Sequence, residues 1–394
     1  MSLNHTPSAE RLHIGIFGKR NAGKSSLMNA ITGQSLAIVS DIKGTTTDPV
    51  SKAMELLPLG PVVMIDTPGL DDEGMLGELR VKKAYQVLNK IDIALLVIDG
   101  TVGFSTEDEA LLEKIKEKRV PYLIVFNKLD NMNEHKETRE DTIYVSATSM
   151  LNIEQLKEKI GQLTPKEEKR PLVADLLQPL DFVVLVVPID SSAPKGRLIL
   201  PQQQTIRDIL EAGAVSIVVK DTELKQTLEK LEKKPRLVIT DSQAFSEVAK
   251  QTPEDVALTS FSILFARYKG DLWEAVQGAR AIENIKDGDC ILMAEGCTHH
   301  RQCEDIGTVK IPNWIRNYTK GKQIEIETCS GTEFPSDLSK YSLIVHCGGC
   351  TLNEREMKYR IACAKDQGIP ITNYGIFIAY MKGILERSIE PLTT

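Results

Sequence analysis

Two short clusters of cysteine and histidine have the residue types and spacing of a metal site. The sequence His-Cys-Gly-Gly-Cys at 346–350 follows the apolar run 341–345, and Cys-Thr-His-His at 297–300 follows the apolar run 290–294. Each apolar run is typical of a short buried strand. Two parallel strands of one sheet would bring both clusters to the same carboxyl edge, where open α/β sheets bind their ligands. The pattern therefore predicts one metal site made from both clusters.

The metal itself is left open by these residues. Thiolates from Cys297, Cys347 and Cys350 suit three irons of a 4Fe-4S cluster, with the fourth iron left to another ligand. The same cysteines together with His299 form the four-ligand set of a tetrahedral zinc site, so iron is favoured only slightly. A redox Cys-x-x-Cys pair or buried apolar cysteines are disfavoured, because both clusters end a strand and carry histidine. His346 at the strand end has two alternative roles, metal ligand or neighbour of a ligand.

The other cysteines are weaker candidates. Cys290 and Cys363 lie in apolar strand and helix patterns and are expected in the core. Cys303 and Cys329 could approach the metal site, but we assign them no role. All seven cysteines lie beyond residue 289, and the N-terminus lacks the apolar segment of a signal peptide. Such a clustered, odd set favours metal binding over a disulfide framework.

A phosphate-binding loop is predicted near the N-terminus. The apolar run 12–17 is followed by Gly-Lys-Arg-Asn-Ala-Gly-Lys-Ser at 18–25 and then by a helical pattern. This strand, glycine loop and helix is the context in which backbone N–H groups cradle phosphates. Lys24 should neutralise the β- and γ-phosphate oxygens, and the Ser25 hydroxyl should bind Mg²⁺. The loop residues expected to contact the nucleotide are Gly18, Asn21, Ala22, Gly23, Lys24, Ser25 and Ser26.

A second strand ends at the predicted γ-phosphate. The apolar run 62–65 is followed by Asp-Thr-Pro-Gly at 66–69. This placement puts the Asp66 carboxylate beside the metal ion and the flexible Gly69 beside the γ-phosphate.

Two later strand ends predict that the base is guanine. Asn127-Lys128-Leu129-Asp130 follows the run 122–126, and Ser146-Ala147 follows 143–145. Asp130 can accept hydrogen bonds from the N1–H and amine of guanine, while Asn127 reaches the opposite edge of the base. Loss of such a buried partner discriminates by a factor on the order of 10⁴, so the predicted nucleotide is GTP.

These five motifs, in this order, resemble the Ras-like GTPases over about residues 11–163, and the Era and MnmE branch in particular. The resemblance implies hydrolysis of GTP to GDP and phosphate, with Lys24, Thr46 and Gly69 in catalytic contact and Thr46 as an Mg²⁺ ligand. Thr47 departs from the arginine usual in the effector loop of this branch. The resemblance also implies a potassium ion at Asn21.

Slow intrinsic hydrolysis follows from a further departure. Leu70 stands where Ras-type enzymes carry the glutamine that positions the attacking water. Intrinsic turnover should therefore be at or below roughly 10⁻³ per second, as in unassisted Ras-type enzymes.

Alternating strand and helix patterns fill the rest of the chain. A charged, proline-containing segment at 162–171 reads as a linker. Strands at 181–188, 215–219, 237–240 and 256–259 alternate with helices such as 202–212 and 223–232, and this unit has no cysteine or histidine. A third unit has strands at 290–294, 323–328, 341–345 and 370–372 and helices at 272–276, 304–318, 353–366 and 376–387.

The predicted fold class is α/β, with an N-terminal Ras-like P-loop GTPase followed by two smaller parallel-sheet α/β domains. The expected boundaries are 1–168, 169–268 and 269–394, which suits a chain of 394 residues. The net charge of −7 and sequence pI near 5.6 argue against nucleic acid as a partner. We also expect no membrane association, because no apolar run is long enough to span a bilayer, and a cytoplasmic location.

The spacing of the metal motif makes a second resemblance specific. A Cys-x-His group, 46 intervening residues and then His-Cys-x-x-Cys, behind a Ras-like GTPase, resembles the HydF family of FeFe-hydrogenase maturation GTPases over the whole chain. The resemblance implies that Cys297, Cys347 and Cys350 bind a 4Fe-4S cluster, with His299 and His346 as the motif histidines. It implies that the fourth iron has an exchangeable ligand and that the middle domain is a dimerisation surface, with higher oligomers open. Candidates for that ligand are His299, His346, Glu295, Glu304 and Asp305.

The implied function is that of a scaffold and carrier. Radical-SAM maturases would supply a transient di-iron subcluster precursor, the protein would hold it beside its cluster, and apo FeFe-hydrogenase would receive it. GTP hydrolysis would govern docking or release of these partners. Two other classes remain open from the residues alone: a tRNA-modification GTPase, which the acidic charge disfavours, and a zinc-stabilised GTPase switch with a protein-binding tail.

Overall fold

The chain is organised as two compact units, 1–168 and 169–394. The computed structural model describes residues 10–33, 50–69, 84, 87–132, 140–163, 170–189, 198–296, 305–331 and 333–393. Within these ranges, no helix is both long enough and apolar enough to cross a bilayer.

The first unit is a six-stranded sheet whose strands are all parallel except at one edge. The strand order is β2-β3-β1-β4-β5-β6, and β2 pairs antiparallel with β3. Its elements are β1 (Leu12–Phe17), α1 (Lys24–Thr32), β2 (Val50–Leu56), β3 (Gly60–Asp66), β4 (Ile93–Asp99), α2 (Thr106–Glu117), β5 (Tyr122–Asn127), β6 (Thr142–Tyr144) and α3 (Ile153–Gln162).

Alternation along the strands gives this sheet two buried faces. Ile14 and Ile16 of β1 pack in one apolar cluster, whereas Phe17 packs in the other. Side chains of a strand point alternately to opposite faces, so near-continuous apolar runs are what a sheet covered on both sides requires. The predicted Ras-like arrangement of the first unit is confirmed.

The second unit contains two four-stranded sheets, both entirely parallel. Their orders are β10-β9-β7-β8 and β12-β11-β13-β14. The strands are β7 (Phe182–Val186), β8 (Val215–Val219), β9 (Leu237–Thr240), β10 (Ala257–Ser260), β11 (Cys290–Ala294), β12 (Glu325–Cys329), β13 (Tyr341–His346) and β14 (Ile371–Asn373). The predicted pair of smaller parallel-sheet domains is thus confirmed as a fold class.

Helices separate these strands along the chain. They are α4 (Leu200–Glu211), α5 (Leu224–Lys230), α6 (Phe245–Gln251), α7 (Phe261–Lys269), α8 (Leu272–Arg280), α9 (Ile311–Tyr318), α10 (Glu354–Asp366), α11 (Tyr374–Met381) and α12 (Leu385–Ile389). Short 3₁₀ turns occur at Leu129–Asn131, Ala174–Leu176, Asp221–Glu223, Ala281–Asn284 and Glu390–Leu392.

One apolar core is shared by the two sheets of the second unit. It combines Phe261 and Phe265 of α7 with Ile291 of β11 and Phe377 of α11. The opposite face of the last sheet has its own cluster, which includes the buried Cys290. The core position predicted for Cys290 is therefore confirmed, and Cys363 of α10 packs against the same cluster.

Two predicted helices differ from the structure. The helix expected over 376–387 is two helices, α11 and α12, because Gly383 adopts φ +71° between them. The helix expected over 304–318 begins as a π-helix at Ile306–Lys310 before the α-helical α9. Residue 304 and most of the predicted linker, 164–169, lie outside the described residues.

Candidate nucleotide and metal sites

The predicted phosphate loop connects β1 to α1 with the backbone of a phosphate cradle. Gly18, Asn21 and Gly23 have positive φ values of 142°, 61° and 88°. The Lys24 ammonium is buried and donates to the carbonyl oxygens of Gly18 and Lys19 at 2.9 and 2.7 Å, so it lies over the loop. The backbone N–H groups at the N-terminus of α1 and the Lys24 ammonium are then on the same side of the loop. This arrangement of donors and positive charge suits a bound phosphate.

A carboxylate and a hydroxyl meet at the end of β3. Ser25 Oγ donates to Asp66 Oδ2 at 2.5 Å. Asp66 Oδ1 is buried and accepts no hydrogen bond from the residues that the structure describes. Burial raises the pKa of Asp66, against the hydrogen bond from Ser25 and the charge of Lys24. A buried oxygen left to another partner beside a serine hydroxyl fits the oxygen ligand set of Mg²⁺.

Asn127 connects the phosphate loop to the predicted base-binding strand ends. Its Nδ2 donates to the Ala22 carbonyl at 3.1 Å, and its Oδ1 accepts from the Ala147 N–H at 3.0 Å. The side chain is 2% exposed. Asn127 thus holds together the loops that contain Ala22 and Ala147, both of which the sequence predicts to contact the same nucleotide.

An ion pair that sequence reasoning missed lies next to this amide. The Lys128 ammonium donates to Asp99 Oδ2 at 2.5 Å, and Lys128 has φ +67°. Burial of Asp99 opposes ionisation, but the hydrogen bonds from Lys128 and Thr101 together lower its pKa. The Lys128 stem is thereby held across the loop end of β4, while Asp130 is exposed one turn further on. The sequence feature that could have predicted this ion pair is Asp99, the carboxylate at which β4 ends.

The described residues of the predicted metal motif, His346, Cys347 and Cys350, lie at the carboxyl edge of the last sheet. β11 and β13 are parallel neighbours, with Ala294 opposite His346. β12 ends at Cys329, opposite Ala294 on the other side. The segment leading to Cys297 and the segment containing Cys347 therefore leave the sheet side by side.

Hydrogen bonds join these two segments directly. Cys347 Sγ accepts from the N–H groups of Gly296 at 3.0 Å and Gly349 at 3.4 Å. The Thr351 hydroxyl donates to the Gly296 carbonyl at 3.0 Å. N–H groups directed at a sulfur favour its thiolate form, which is the form that binds iron or zinc. The donor set around Cys347 therefore fits a thiolate-bound metal.

Cys350 and Cys329 are half-buried thiols. Burial raises the pKa of Cys350, and the nearby Lys269 charge acts in the opposite direction. Burial also raises the pKa of Cys329 to about 11, despite the Arg360 charge. Metal binding must displace the thiol proton, so the electrostatics around Cys350 favour a ligand role more than those around Cys329.

His346 is engaged at both ring nitrogens. Nδ1 lies 2.7 Å from the Cys347 carbonyl oxygen, and Nε2 lies 3.0 Å from Nη1 of Arg360. Burial and the Arg360 charge lower the pKa of His346 to about 3, so the ring is neutral. This geometry favours the second of its two predicted alternatives, a neighbour of the ligands. Arg360 was missed by sequence reasoning, because it lies on another element with no motif around it.

Several predicted site residues lie outside the described residues. They are Thr46, Leu70, Cys297, His299, Cys303 and Glu304. In the part that the structure describes, no group of three or more histidine, cysteine, aspartate or glutamate side chains is arranged to hold a metal ion. Of the remaining candidates for the exchangeable ligand, Glu295 is buried with its Oε1 3.5 Å from the Tyr374 hydroxyl, and Asp305 caps the Thr308 N–H at 2.8 Å.

The fold and its sites define a GTPase domain of the Era and MnmE type, followed by two α/β domains of which the last carries a cysteine cluster. Family models agree for each part. The model described as 50S ribosome-binding GTPase matches 13–128, hydrogen maturase F dimerization domain matches 172–270, and hydrogen maturase F tetramerization domain matches 273–391. The chain belongs to the hydrogen maturase F (HydF) family, and it carries that family's oligomerization domains.

Curated relatives match part of this chain. GTPase Der of Kosmotoga olearia is 34% identical over 189 residues, which cover 43% of this chain and 42% of that protein. The tRNA modification GTPase MnmE of Desulforamulus reducens is 38% identical over 160 residues, covering 38% and 34%. The chain thus spans less than half the length of these relatives. A solved structure of an Era variant from Aquifex aeolicus bound to GDP and AlF₄⁻ is 22% identical, covering 53% and 92%, with a TM-score of 0.35.

Proposed function

We propose that this chain is a GTP-hydrolysing scaffold and carrier in FeFe-hydrogenase maturation. It binds a 4Fe-4S cluster, accepts a di-iron subcluster precursor from radical-SAM maturases and transfers it to apo-hydrogenase in the cytoplasm. The observation that carries the proposal is the joining of the two cysteine segments, in which Gly296, next to Cys297, donates to Cys347 Sγ. Membership of the HydF family supports the choice of iron over zinc.

The cluster belongs to the proposed domain 269–394, with Cys297, Cys347 and Cys350 as its ligands. When bound, it offers an iron with a replaceable ligand at which a precursor can dock. The chain's own residues hold the site: Thr351 and Gly296 join the two segments, and backbone N–H groups stabilise the Cys347 sulfur. The proposed domain 169–268 serves as the dimerisation surface.

The proposed nucleotide domain, 1–168, acts as the switch. Lys24 would neutralise the phosphates, Ser25 and Asp66 would hold Mg²⁺ together with Thr46, and Asn127, Asp130 and Ala147 would bind guanine. Reversing a 1:99 population requires about 5.5 kcal/mol of differential binding, which contacts to a γ-phosphate and its Mg²⁺ are able to supply. GTP therefore governs partner docking or release rather than cluster chemistry.

The first experiment is anaerobic reconstitution with iron and sulfide, followed by metal analysis and low-temperature EPR of the reduced protein. We expect about four irons per chain, as one cubane requires. Cys347→Ala and Cys350→Ala should each lose or convert the EPR signal. Cys363→Ala, a change on α10 outside the loop, is the matched control and should retain it. A colourless protein with one zinc per chain would contradict the cluster assignment.

Potassium dependence is tested separately. GTP hydrolysis should be faster in KCl than in NaCl at equal ionic strength, and Asn21→Ala should abolish the difference. Equal rates in both salts for the wild-type protein would contradict the potassium site without affecting the cluster proposal.

A further inference from the structure

Arg360 of α10 is completely buried directly behind the cysteine loop. Its exposed fraction is 0%, and its Nε donates to Glu356 Oε1 at 2.9 Å. Its Nη2 donates to the Gly331 carbonyl at 2.5 Å, and its guanidinium lies 5.1 Å from the Phe334 ring centroid. Burying an ion pair carries a large desolvation cost, and replacement by apolar residues is often neutral or stabilising. Stability alone therefore does not account for this buried pair.

The remaining Arg360 contact fixes the state of His346. Arginine has only donors, so the Nη1 contact at 3.0 Å requires His346 Nε2 to be the unprotonated acceptor. The ring proton is then on Nδ1, which donates to the Cys347 carbonyl at 2.7 Å. The one lone pair that this tautomer offers to a metal is already occupied by Arg360.

We propose that Arg360 is a positioning residue for the cysteine loop, and that it and Glu356 set the reduction potential of the cluster. Arg360 holds one tautomer of His346, and His346 in turn holds the carbonyl of Cys347, whose sulfur is a proposed ligand. His346 is accordingly not the exchangeable ligand. The inference rests on the proposed function, because it concerns the same cluster.

The effect on the reduction potential is testable because Arg360 and Glu356 carry opposite charges. Removing the positive charge of Arg360 leaves the buried Glu356 carboxylate, which disfavours adding an electron to the cluster. Removing the charge of Glu356 leaves the guanidinium and has the opposite effect. A purely structural role has no reason to produce opposite signs.

The experiment compares full-length, reconstituted Arg360→Gln, Glu356→Gln and the double variant by EPR-monitored redox titration. We expect a shift to more negative potential for Arg360→Gln, to more positive potential for Glu356→Gln, and an intermediate value for the double variant. Lys358→Gln is the matched control, because it removes an exposed charge from the same helix. Shifts of one sign in both single variants, or no shift with iron content retained, would overturn the tuning role.

A second measurement depends neither on the charge variants nor on iron. In the apo protein labelled with ¹⁵N-histidine, the resonance missing from His346→Gln should show a protonated Nδ1 and an unprotonated Nε2. A protonated Nε2 would overturn the contact with Arg360. A nitrogen coupling to the reduced cluster that disappears in His346→Gln would overturn the exclusion of His346 as a ligand. Wild-type protein that binds no iron would contradict the proposed function and the tuning role with it, while the tautomer result still decides the contact.

Discussion

Gly23 lies so close to Asn127 that a side chain at this position would displace the amide. Its φ is +88°, and an added Cβ would lie 2.2 Å from Asn127 Nδ2. Gly23→Ala therefore combines backbone strain of about 1–2 kcal/mol with movement of a residue expected to bind guanine. We expect at least about a 100-fold loss of GDP affinity, measured by titration with a fluorescent nucleotide, since each 1.4 kcal/mol is about tenfold.

The control for this prediction is Gly33→Ala at the end of α1. Gly33 also has a positive φ, +65°, but no atom of the described residues lies within 4 Å of its added Cβ. It should lower the free energy of unfolding by about 1 kcal/mol through the same kind of strain. Its GDP affinity should stay within about twofold of wild type. Equal losses of affinity in the two variants would show that strain alone, and not the contact with Asn127, weakens binding.

His13 on β1 should make the first unit sensitive to acid. Burial lowers the pKa of His13 to about 4, and Nδ1 lies 2.9 Å from the Arg11 carbonyl. The ring is thus neutral at pH 7, and its 4.0 Å approach to Asp92 is not an ion pair there. The unfolded chain binds a proton at this ring near pH 6.5, so the free energy of unfolding is unaffected above that pH and falls toward pH 4.

The measurement compares wild type with His13→Gln by chemical denaturation at pH 7 and pH 5. Between these pH values the wild type should lose about 2 kcal/mol more than the variant. Other buried groups, including His346, affect both proteins alike and cancel in the difference. Parallel pH dependence in the two proteins would contradict a lowered pKa at His13.

The sequence indicated some of the site residues but not the residues that hold them in position. Lys24, Asp66 and Asn127 were identifiable because Lys24 begins the helix after a glycine loop, and the other two end strands within short motifs. Arg360 was not, since its meaning depends on His346 and Gly331, which come from separate elements. Local spacing carries no information about which buried helix residue will face a loop.

Close approach of α8 to β14 depends on one glycine. An added Cβ at Gly278 would lie 2.0 Å from the Ile371 carbonyl oxygen, which is backbone and cannot rotate away. Helix propensity alone predicts that Gly278→Ala stabilises the protein by about 1 kcal/mol. We expect the overpacking to prevail, with a net loss of about 3 kcal/mol in the free energy of unfolding, measured by denaturant titration.

Gln277→Ala is the matched control for that helix. Gln277 is exposed on α8 and one residue away, so its replacement should change the free energy of unfolding by less than about 0.5 kcal/mol. A Gly278→Ala protein more stable than wild type would mean that α8 can move away from β14.

Buried parallel strands were the elements most easily predicted from the sequence, because continuous apolar runs of four to seven residues indicate them. Among the elements that the sequence pattern did not predict, three lacked a clear signal. β2 is an antiparallel edge strand with mostly exposed side chains, and α6 and α7 are short segments between strands. α7 is apolar on nearly every side because it lies within the shared core, so it has no amphipathic pattern.

At the scale of the whole chain, the apolar clusters show which pieces are self-sufficient. The two clusters of the first sheet use residues between 14 and 160, and those of the second unit use residues between 172 and 392. Each unit therefore has a complete core. We predict that separately expressed 1–168 binds GDP within about threefold of the full chain, and that 169–394 unfolds cooperatively and takes up as much iron per chain.

The same reasoning predicts that 269–394 alone does not fold cooperatively. Its helices α8 and α11 pack in the shared core with Phe261 and Phe265 of α7, which such a fragment lacks. Loss of two buried phenylalanines from a core costs about 3–5 kcal/mol each, which is comparable to the whole stability of a small domain. Thermal unfolding of the three fragments, followed by near-UV circular dichroism, checks which of them fold cooperatively. A cooperative transition in 269–394 would show that the cluster site needs nothing from the preceding sheet.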